Sequence, residues 1–155
     1  MKKRLKLFLD SSAILTGLNK PTGAAGQVLS LGRLDYVEFI ISDDIIDELS
    51  RNIQKKFIHL DINDFLAFQP TILPSPSDKE ILLASKIISH QVDSPILASA
   101  IKTNPDFVIT WNTKHFLTKS VVTSVKFIIC TPPDFLTKTL KAKLTRVFQI
   151  VKLIQ

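Results

Sequence analysis

Cysteine is almost absent from this chain of 155 residues, in which Cys130 is the only one. A single cysteine excludes an internal disulfide and a zinc site built from cysteines alone. Long apolar runs are missing too, since none approaches the roughly 20 residues of a membrane-spanning helix. The basic start resembles a secretory signal, but its apolar run covers only Leu7–Leu9 before Asp10. These absences predict a cytoplasmic protein that does not enter a membrane.

Two classes of phosphate-handling protein lack their signatures. Of the four glycines, the only close pair is Gly23 and Gly26, which is far from the GxGxxG that follows a strand in dinucleotide-binding folds. A phosphatase of the haloacid dehalogenase type also begins with a strand and an aspartate. It needs a second aspartate two residues later, where this chain has Ser12 after Asp10. Both classes are therefore disfavoured.

The composition is that of one globular domain with a basic surface. Hydrophobic residues make up 45% of the chain, which argues against disorder, and its length allows a proper core. The formal net charge is +6. Such a surface suits RNA, DNA or an acidic protein segment, although ordinary solubilising charge explains it equally well. The excess of basic residues lies near both ends of the sequence. These residues are Lys2, Lys3, Arg4, Lys6, Lys138, Lys141, Lys143, Arg146 and Lys152.

Strand patterns alternate with helix patterns along most of the chain. This order predicts a three-layer α/β/α sandwich with a central, mostly parallel sheet over residues 1–136. The predicted strands are Leu5–Leu9, Glu38–Ile41, Asp106–Thr110, Val125–Ile129 and a brief one at residues 72–73. The main predicted helices are Ser11–Leu18, Ala24–Leu34, Asp43–Lys56, one from Ser77 to about Ser89, and one that follows Asp93.

Residues 137–155 have apolar side chains at helical spacing with basic residues opposite. We interpret this segment as a basic amphipathic helix packed on the same domain. The alternative is a docking helix for RNA, an acidic partner or a membrane surface.

The stretch of residues 92–112 predicts that two polar side chains meet. Asp93 opens a helix that Asn104 and Pro105 stop, and a buried strand then leads to Asn112. Ten helical residues rise roughly 15 Å and five strand residues return roughly 16 Å, so the two lengths nearly cancel. Asn112 should therefore reach the sheet edge at which open α/β folds bind ligands.

Two further acids point to the same rim. Asp10 ends the first strand, and Glu48 lies in the middle of a helix beside an apolar stripe. Taken singly, Asp10 and Asp93 are interpreted as helix caps, and Glu48 is interpreted as a solvated surface residue. Together, carboxylates without a matching basic cluster raise one another's pKa values, and a divalent cation resolves that conflict. Oxygen donors favour Mg²⁺ or Mn²⁺ over zinc. The three histidines are widely separated along the chain, and we expect them to be structural or exposed. They are His59, His90 and His115.

These residues resemble the PIN domain, a nuclease fold, over about residues 5–135. The motifs are Asp10-Ser11-Ser12 after the first strand, Glu48 before Leu49, DSPILASA at residues 93–100, and DFVITWNTKHF at residues 106–116. The last two are the specific part. The resemblance implies that the metal-binding and catalytic positions are Asp10, Glu48, Asp93 and Asn112, with a supporting hydroxyl from Ser11 or Ser12 and with Phe116 packed beneath the last motif.

The resemblance also implies an activity and partners. The expected activity is Mg²⁺- or Mn²⁺-dependent endonuclease cleavage of single-stranded or structured RNA. Small members resembling VapC are toxins of toxin–antitoxin pairs and many dimerise, so an antitoxin protein and a homodimer are expected. Better-studied members carry aspartate where this chain has Asn112, which should weaken a second metal site. Asp44, one turn before Glu48, could support the rim or serve as an N-terminal helix charge. The alternative function is a catalytically weak module that binds nucleic acid or an antitoxin.

Overall fold

The computed structural model describes residues 3–35 and 37–140. Its strands are β1 (Leu5–Leu9), β2 (Val37–Ser42), β3 (Thr71–Leu73), β4 (Phe107–Ile109) and β5 (Ile128–Cys130). Its helices are α1 (Ser11–Asn19), α2 (Ala24–Leu31), α3 (Asp43–Lys56), α4 (Ile62–Leu66), α5 (Asp78–Ser85), α6 (Ser94–Thr103), α7 (Thr113–Phe116), α8 (Lys119–Ser124) and α9 (Pro132–Asp134). A 3₁₀ turn covers Gln91–Asp93, and a π-helical segment covers Phe135–Leu140.

The five strands form one parallel sheet in the order β3-β2-β1-β4-β5. Successive side chains of a strand point to opposite faces, yet Leu7, Phe8 and Leu9 are all fully buried. Both faces of the sheet are therefore covered there, which is the physical reason for the apolar runs Leu7–Leu9 in β1 and Phe107–Ile109 in β4. The predicted α/β/α architecture with a parallel sheet is confirmed.

The strand order places the ends of β1 and β4 side by side. The chain leaves β1 towards β2 on one side, whereas β4 lies on the other side, so the order reverses at β1. Leu9 pairs with Ile109, and the Asp10 amide donates to the Ile109 carbonyl at 3.0 Å. Residues that follow β1 and β4 thus emerge together at the carboxyl edge, where this class of sheet has its ligand crevice.

The helix after Ser77 begins as predicted but ends early. Ser77 and Glu80 form a capping box, with hydrogen bonds of 2.9 and 3.3 Å between each side chain and the other residue's amide. The expected end near Ser89 is wrong, because α5 stops at Ser85. The Gln91 side-chain amide approaches the carbonyl oxygens after that point, including those of Ser85 and Ser89, at 3.3–3.4 Å, and so satisfies acceptors that a longer helix would use.

The last strand lies later than the pattern suggested. It covers Ile128–Cys130 and not Val125–Ile129, because pairing with β4 starts at Phe107 opposite Ile128. The following turn becomes a short helix whose first free amides are capped by the Thr131 hydroxyl, which accepts from Asp134 N at 3.3 Å. The bounds of β5 therefore depend on its pairing with β4, which the apolar periodicity of the sequence does not encode.

Within residues 3–35 and 37–140, no helix is long and apolar enough to cross a bilayer. Residues 137–140 belong to the π-helical segment that starts at Phe135. Residues 141–155 lie outside the described residues, so the amphipathic helix expected there stays a prediction.

Candidate metal centre

Asp10 sits at the carboxyl end of β1 and is almost completely buried. Its Oδ1 accepts from the Ser11 amide at 2.9 Å, and so contributes to the start of α1. Its Oδ2 accepts from the hydroxyls of Thr110 and Ser12, at 2.7 and 3.0 Å. Asp10 is therefore a helix cap and also the centre of a polar cluster.

The two hydroxyls tie Asp10 to the chain that leaves β4. Ser12 Oγ accepts from the Trp111 amide at 3.0 Å, and Thr110 Oγ1 accepts from the Asn112 amide at 2.9 Å. Each hydroxyl thus accepts from a backbone N–H and donates to the Asp10 carboxylate. This relay fixes the direction in which residues 110–112 leave the sheet.

Glu48 reaches this edge from α3. Ile45 and Leu49 hold the helix in the core, and Glu48, next to Leu49, is half-buried. Burial raises the pKa of Glu48, and the charges of Asp10 and Asp93 raise it further, while the Ser11 hydroxyl counteracts the rise. The simple view of Glu48 as a solvated surface residue does not fit these surroundings.

Burial also raises the pKa of Asp10, against the hydrogen bonds from Thr110 and Ser12, with a smaller rise from the charge of Asp93. Within the described part of the chain, no lysine or arginine forms an ion pair with Asp10, Glu48 or Asp93. The charges of Asp10 and Asp93 thus raise the pKa of Glu48, and the charge of Asp93 raises that of Asp10, while the Arg51 guanidinium only partly counteracts the rise at Glu48. That donor set fits a divalent cation.

Asp93 precedes α6, but its side chain makes no capping hydrogen bond. Its Oδ2 instead lies 3.3 Å from Asn112 Nδ2, which follows β4. The structure therefore brings together the two residues that the helix and strand lengths predicted to meet. Asn112 also has an amide oxygen, which remains available as a metal ligand.

The supporting residues are placed unequally. Ser11 lies beside Glu48 and Ser12 contacts Asp10, and Phe116, the last residue of α7, is buried. Asp44 Oδ2 is buried without a hydrogen-bond partner, and in the described residues no hydrogen bond joins Asp44 to Asp10 or Glu48. The structure does not connect Asp44 with the cluster.

Two histidines at this site were missed by the sequence reasoning. His90 and His115 each place Nδ1 within 3 Å of Asp93 Oδ2, at 2.9 and 2.7 Å. A signal was present in the spacing, because His90 lies three residues before Asp93 and His115 three residues after Asn112. His59 instead places Nε2 at 2.8 Å from Asn19 Oδ1.

A parallel α/β/α sheet with polar side chains at its carboxyl edge defines a class of proteins that bind their ligands there. The family model of the PIN domain matches residues 6–114, more than half of the chain. The chain belongs to the PIN domain family, as its motifs indicated.

Solved structures with the same fold are distant in sequence. One is VapBC2 from Rickettsia felis bound to a DNA fragment from their promoter, with 16% identity, a TM-score of 0.57, and coverage of 82% of this chain and 98% of that one. Another is PAE2754 from Pyrobaculum aerophilum, with 14% identity, a TM-score of 0.55, and coverage of 86% and 88%. No curated protein matches the sequence significantly.

Proposed function

We propose that this protein is a cytoplasmic endoribonuclease that hydrolyses phosphodiester bonds with Mg²⁺ or Mn²⁺. The observation that carries the proposal is the set of carboxylates Asp10, Glu48 and Asp93, which are partly or fully removed from water and form no ion pair with a lysine or arginine of the described residues. Burial and neighbouring negative charge disfavour the ionised forms of Asp10 and Glu48, and a bound cation offsets that cost. Membership of a family of nucleases supports the same reading.

Each residue then has a distinct role. Asp10 and Asp93 are the principal ligands, since they end a strand and begin a helix at the same edge. Glu48 binds the cation or orients the attacking water, and Asn112 contributes its amide oxygen. A bound divalent cation lowers the pKa of water and stabilises charge that develops on the phosphate. Ser12 keeps Asp10 in place through its 3.0 Å hydrogen bond.

A groove beside this edge suits single-stranded RNA. Trp111, which immediately precedes Asn112, is 41% exposed, and its indole N–H donates to Thr16 Oγ1 at 2.8 Å. Trp111 and Thr16 line an open groove together with Lys20 and the start of α2. A fixed aromatic ring can stack a base, and a lysine can bind a phosphate.

Cleavage of labelled single-stranded RNA tests the proposal. We expect the wild-type protein to cleave it with Mn²⁺ or Mg²⁺ and to lose all cleavage in EDTA. Glu48→Gln should slow cleavage by about 100-fold, because a neutral amide replaces the carboxylate that binds the cation or orients the attacking water. The matched control is Asp47→Asn on the same helix, which removes an exposed carboxylate and should leave the rate unchanged. Cleavage that persists in EDTA, or equal losses in both variants, would contradict the proposal.

A second candidate is a catalytically weak module that binds nucleic acid or an antitoxin. Asn112 favours it, because an amide that donates to Asp93 at 3.3 Å supplies no negative charge to the cation. The same assay separates the two functions. Salt-sensitive RNA binding without cleavage in either metal supports the module, whereas cleavage that EDTA abolishes excludes it.

We further propose that the protein is the toxin of a toxin–antitoxin pair and a homodimer. The support is its structural similarity to a VapBC complex and the exposed leucines of α5, Leu82 at 59% and Leu83 at 53%. Sedimentation should give a dimer for the wild type and a monomer for Leu83→Lys, because a charge opposes burial of that surface. Ile58→Lys, at a position 81% exposed, is the control and should remain dimeric. A wild-type monomer would exclude the homodimer.

A further inference from the structure

Two histidines outside the acidic set converge on Asp93. His90 Nδ1 and His115 Nδ1 lie 2.9 and 2.7 Å from Asp93 Oδ2, and the two imidazoles stack with centroids 4.1 Å apart at an angle of 13°. One ligand atom from each residue lies within 4.8 Å of the others. Both rings thus bring a potential metal-binding nitrogen to the same carboxylate, but because they are stacked and nearly parallel, one of them must turn before both in-plane lone pairs can point at one ion.

The carboxylate is crowded on one oxygen only. With Asn112 Nδ2 at 3.3 Å, three nitrogen atoms approach Asp93 Oδ2, although a carboxylate oxygen has about two lone pairs. Asp93 Oδ1 accepts no hydrogen bond from any other residue in 3–35 and 37–140. A cation bound by the two imidazole nitrogens and the carboxylate would replace these hydrogen bonds, with each Nδ1 moved slightly outward and presenting a lone pair to the ion.

We propose that His90, Asp93 and His115 form a site for Zn²⁺ or a similar late first-row cation, distinct from the pocket of Asp10 and Glu48. Two imidazoles and one carboxylate are a donor set for zinc with an open fourth position. Mg²⁺ prefers oxygen ligands and is a poor match for this set. The side chains of His90, His115 and Asp93 are 47%, 28% and 17% exposed, so a hydrated ion can reach them.

The two backbone segments that carry these residues are ordered without an ion. The Asp93 amide donates to the His90 carbonyl at 3.0 Å, which closes the turn between them. On the other side, the Phe116 amide donates to the Asn112 carbonyl at 3.1 Å, and the buried Phe116 ring anchors α7 next to His115. Because both backbone segments are already ordered, ion binding has to reorient only the side chains.

The site shares Asp93 with the proposed nuclease centre. A zinc-class ion on the histidines would therefore compete for Asp93 with Mg²⁺ or Mn²⁺ in the acidic pocket. This competition rests on the proposed function, whereas the histidine site itself does not. Release of bound Mn²⁺ on addition of Zn²⁺, followed by electron paramagnetic resonance, reports the competition without any cleavage assay.

Titration of the untagged, metal-free full-length protein with Co²⁺ tests the site. We expect one equivalent to bind with visible absorption bands typical of nitrogen ligation and a low coordination number. His90→Gln and His115→Gln should each weaken Co²⁺ binding at least about tenfold. Even the loss of a residue that only hydrogen-bonds to a metal ligand lowers metal affinity by about that factor. His59→Gln is the matched control, because it removes the third histidine of the chain and should bind as tightly as the wild type. Circular dichroism checks that every variant is folded.

The outcomes separate this site from the acidic pocket. Unchanged affinity in both histidine variants overturns the proposal, as does an equal loss in His59→Gln, which indicates adventitious surface binding. Asp10→Asn should keep the Co²⁺ bands. Loss of those bands in Asp10→Asn, with retention in the histidine variants, places the ion in the acidic pocket and overturns the proposal. Histidine-dependent Co²⁺ binding by a protein that cleaves no RNA supports this site and leaves only the nuclease proposal refuted.

Discussion

Asp10→Asn should slow metal-dependent RNA cleavage by at least about 100-fold. The same substitution should stabilise the metal-free protein. Activity falls because the substitution removes the most deeply buried of the proposed metal ligands, and such ligands control both metal affinity and rate. Stability rises because a buried carboxylate without a basic partner opposes folding once it ionises. A purely structural aspartate would change both quantities in the same direction.

The sign of the stability change follows from the pKa of Asp10. Burial raises that pKa above the value of 3.8 expected in the unfolded chain. The folded protein therefore binds protons more tightly, and stability is lost as pH rises from about that value through the raised pKa. In EDTA near neutral pH, the melting temperature of Asp10→Asn should exceed that of the wild type, by about 2–4 °C for each kcal/mol gained in the free energy of unfolding. This difference in melting temperature should shrink at acidic pH, at which the wild-type carboxyl group is protonated.

Asp35→Asn is the control for this experiment. Asp35 is exposed and precedes β2 at the opposite end of the sheet, so its substitution should alter neither cleavage nor melting temperature. Full activity in Asp10→Asn would refute the metal assignment. A lower melting temperature at neutral pH in EDTA would show that the hydrogen bonds from Ser12 and Thr110 outweigh the cost of the buried charge.

Asn112→Asp should have the second large effect, again with opposite signs with and without metal. The new carboxylate cannot donate to Asp93, and it places a like charge where the amide nitrogen now lies at 3.3 Å. The metal-free protein should lose about 1 kcal/mol or more, since a hydrogen bond is replaced by repulsion. With Mn²⁺ present, the added charge should tighten binding by about tenfold or more and accelerate cleavage.

Thermal unfolding across a Mn²⁺ titration measures both parts of this prediction, because stabilisation grows with the ratio of metal concentration to Kd. Asn63→Asp is the matched control, since it adds the same charge at an exposed position on α4. It should leave the Mn²⁺ dependence unchanged. If Asn112→Asp binds Mn²⁺ no more tightly than the wild type, Asn112 does not face the cation and the site consists of Asp10, Glu48 and Asp93.

The sequence predicted the fold because most of its elements are defined locally. The continuous apolar run of β1 ends at Asp10, and α3 was predicted with its observed bounds, Asp43–Lys56. Asp93 and Asn112 were expected to meet because helix and strand rises are constants of the backbone. The Ser77–Glu80 capping box is likewise a local signal, although it does not set the end of that helix, where the Gln91 side chain donates to the Ser85 carbonyl.

Tertiary structure decided which side chains surround the carboxylates. Only the pairing of β1 with β4 brings Thr110 to Asp10, across a sequence separation that no periodicity measures. The same folding brings His90 and His115 to one oxygen of Asp93, although neither histidine stood out in the sequence. Backbone geometry, which is local, was thus enough to predict that these acids lie close together. The hydrogen bonds and imidazoles that complete it depend on lateral strand order and loop paths, which the folded chain alone determines.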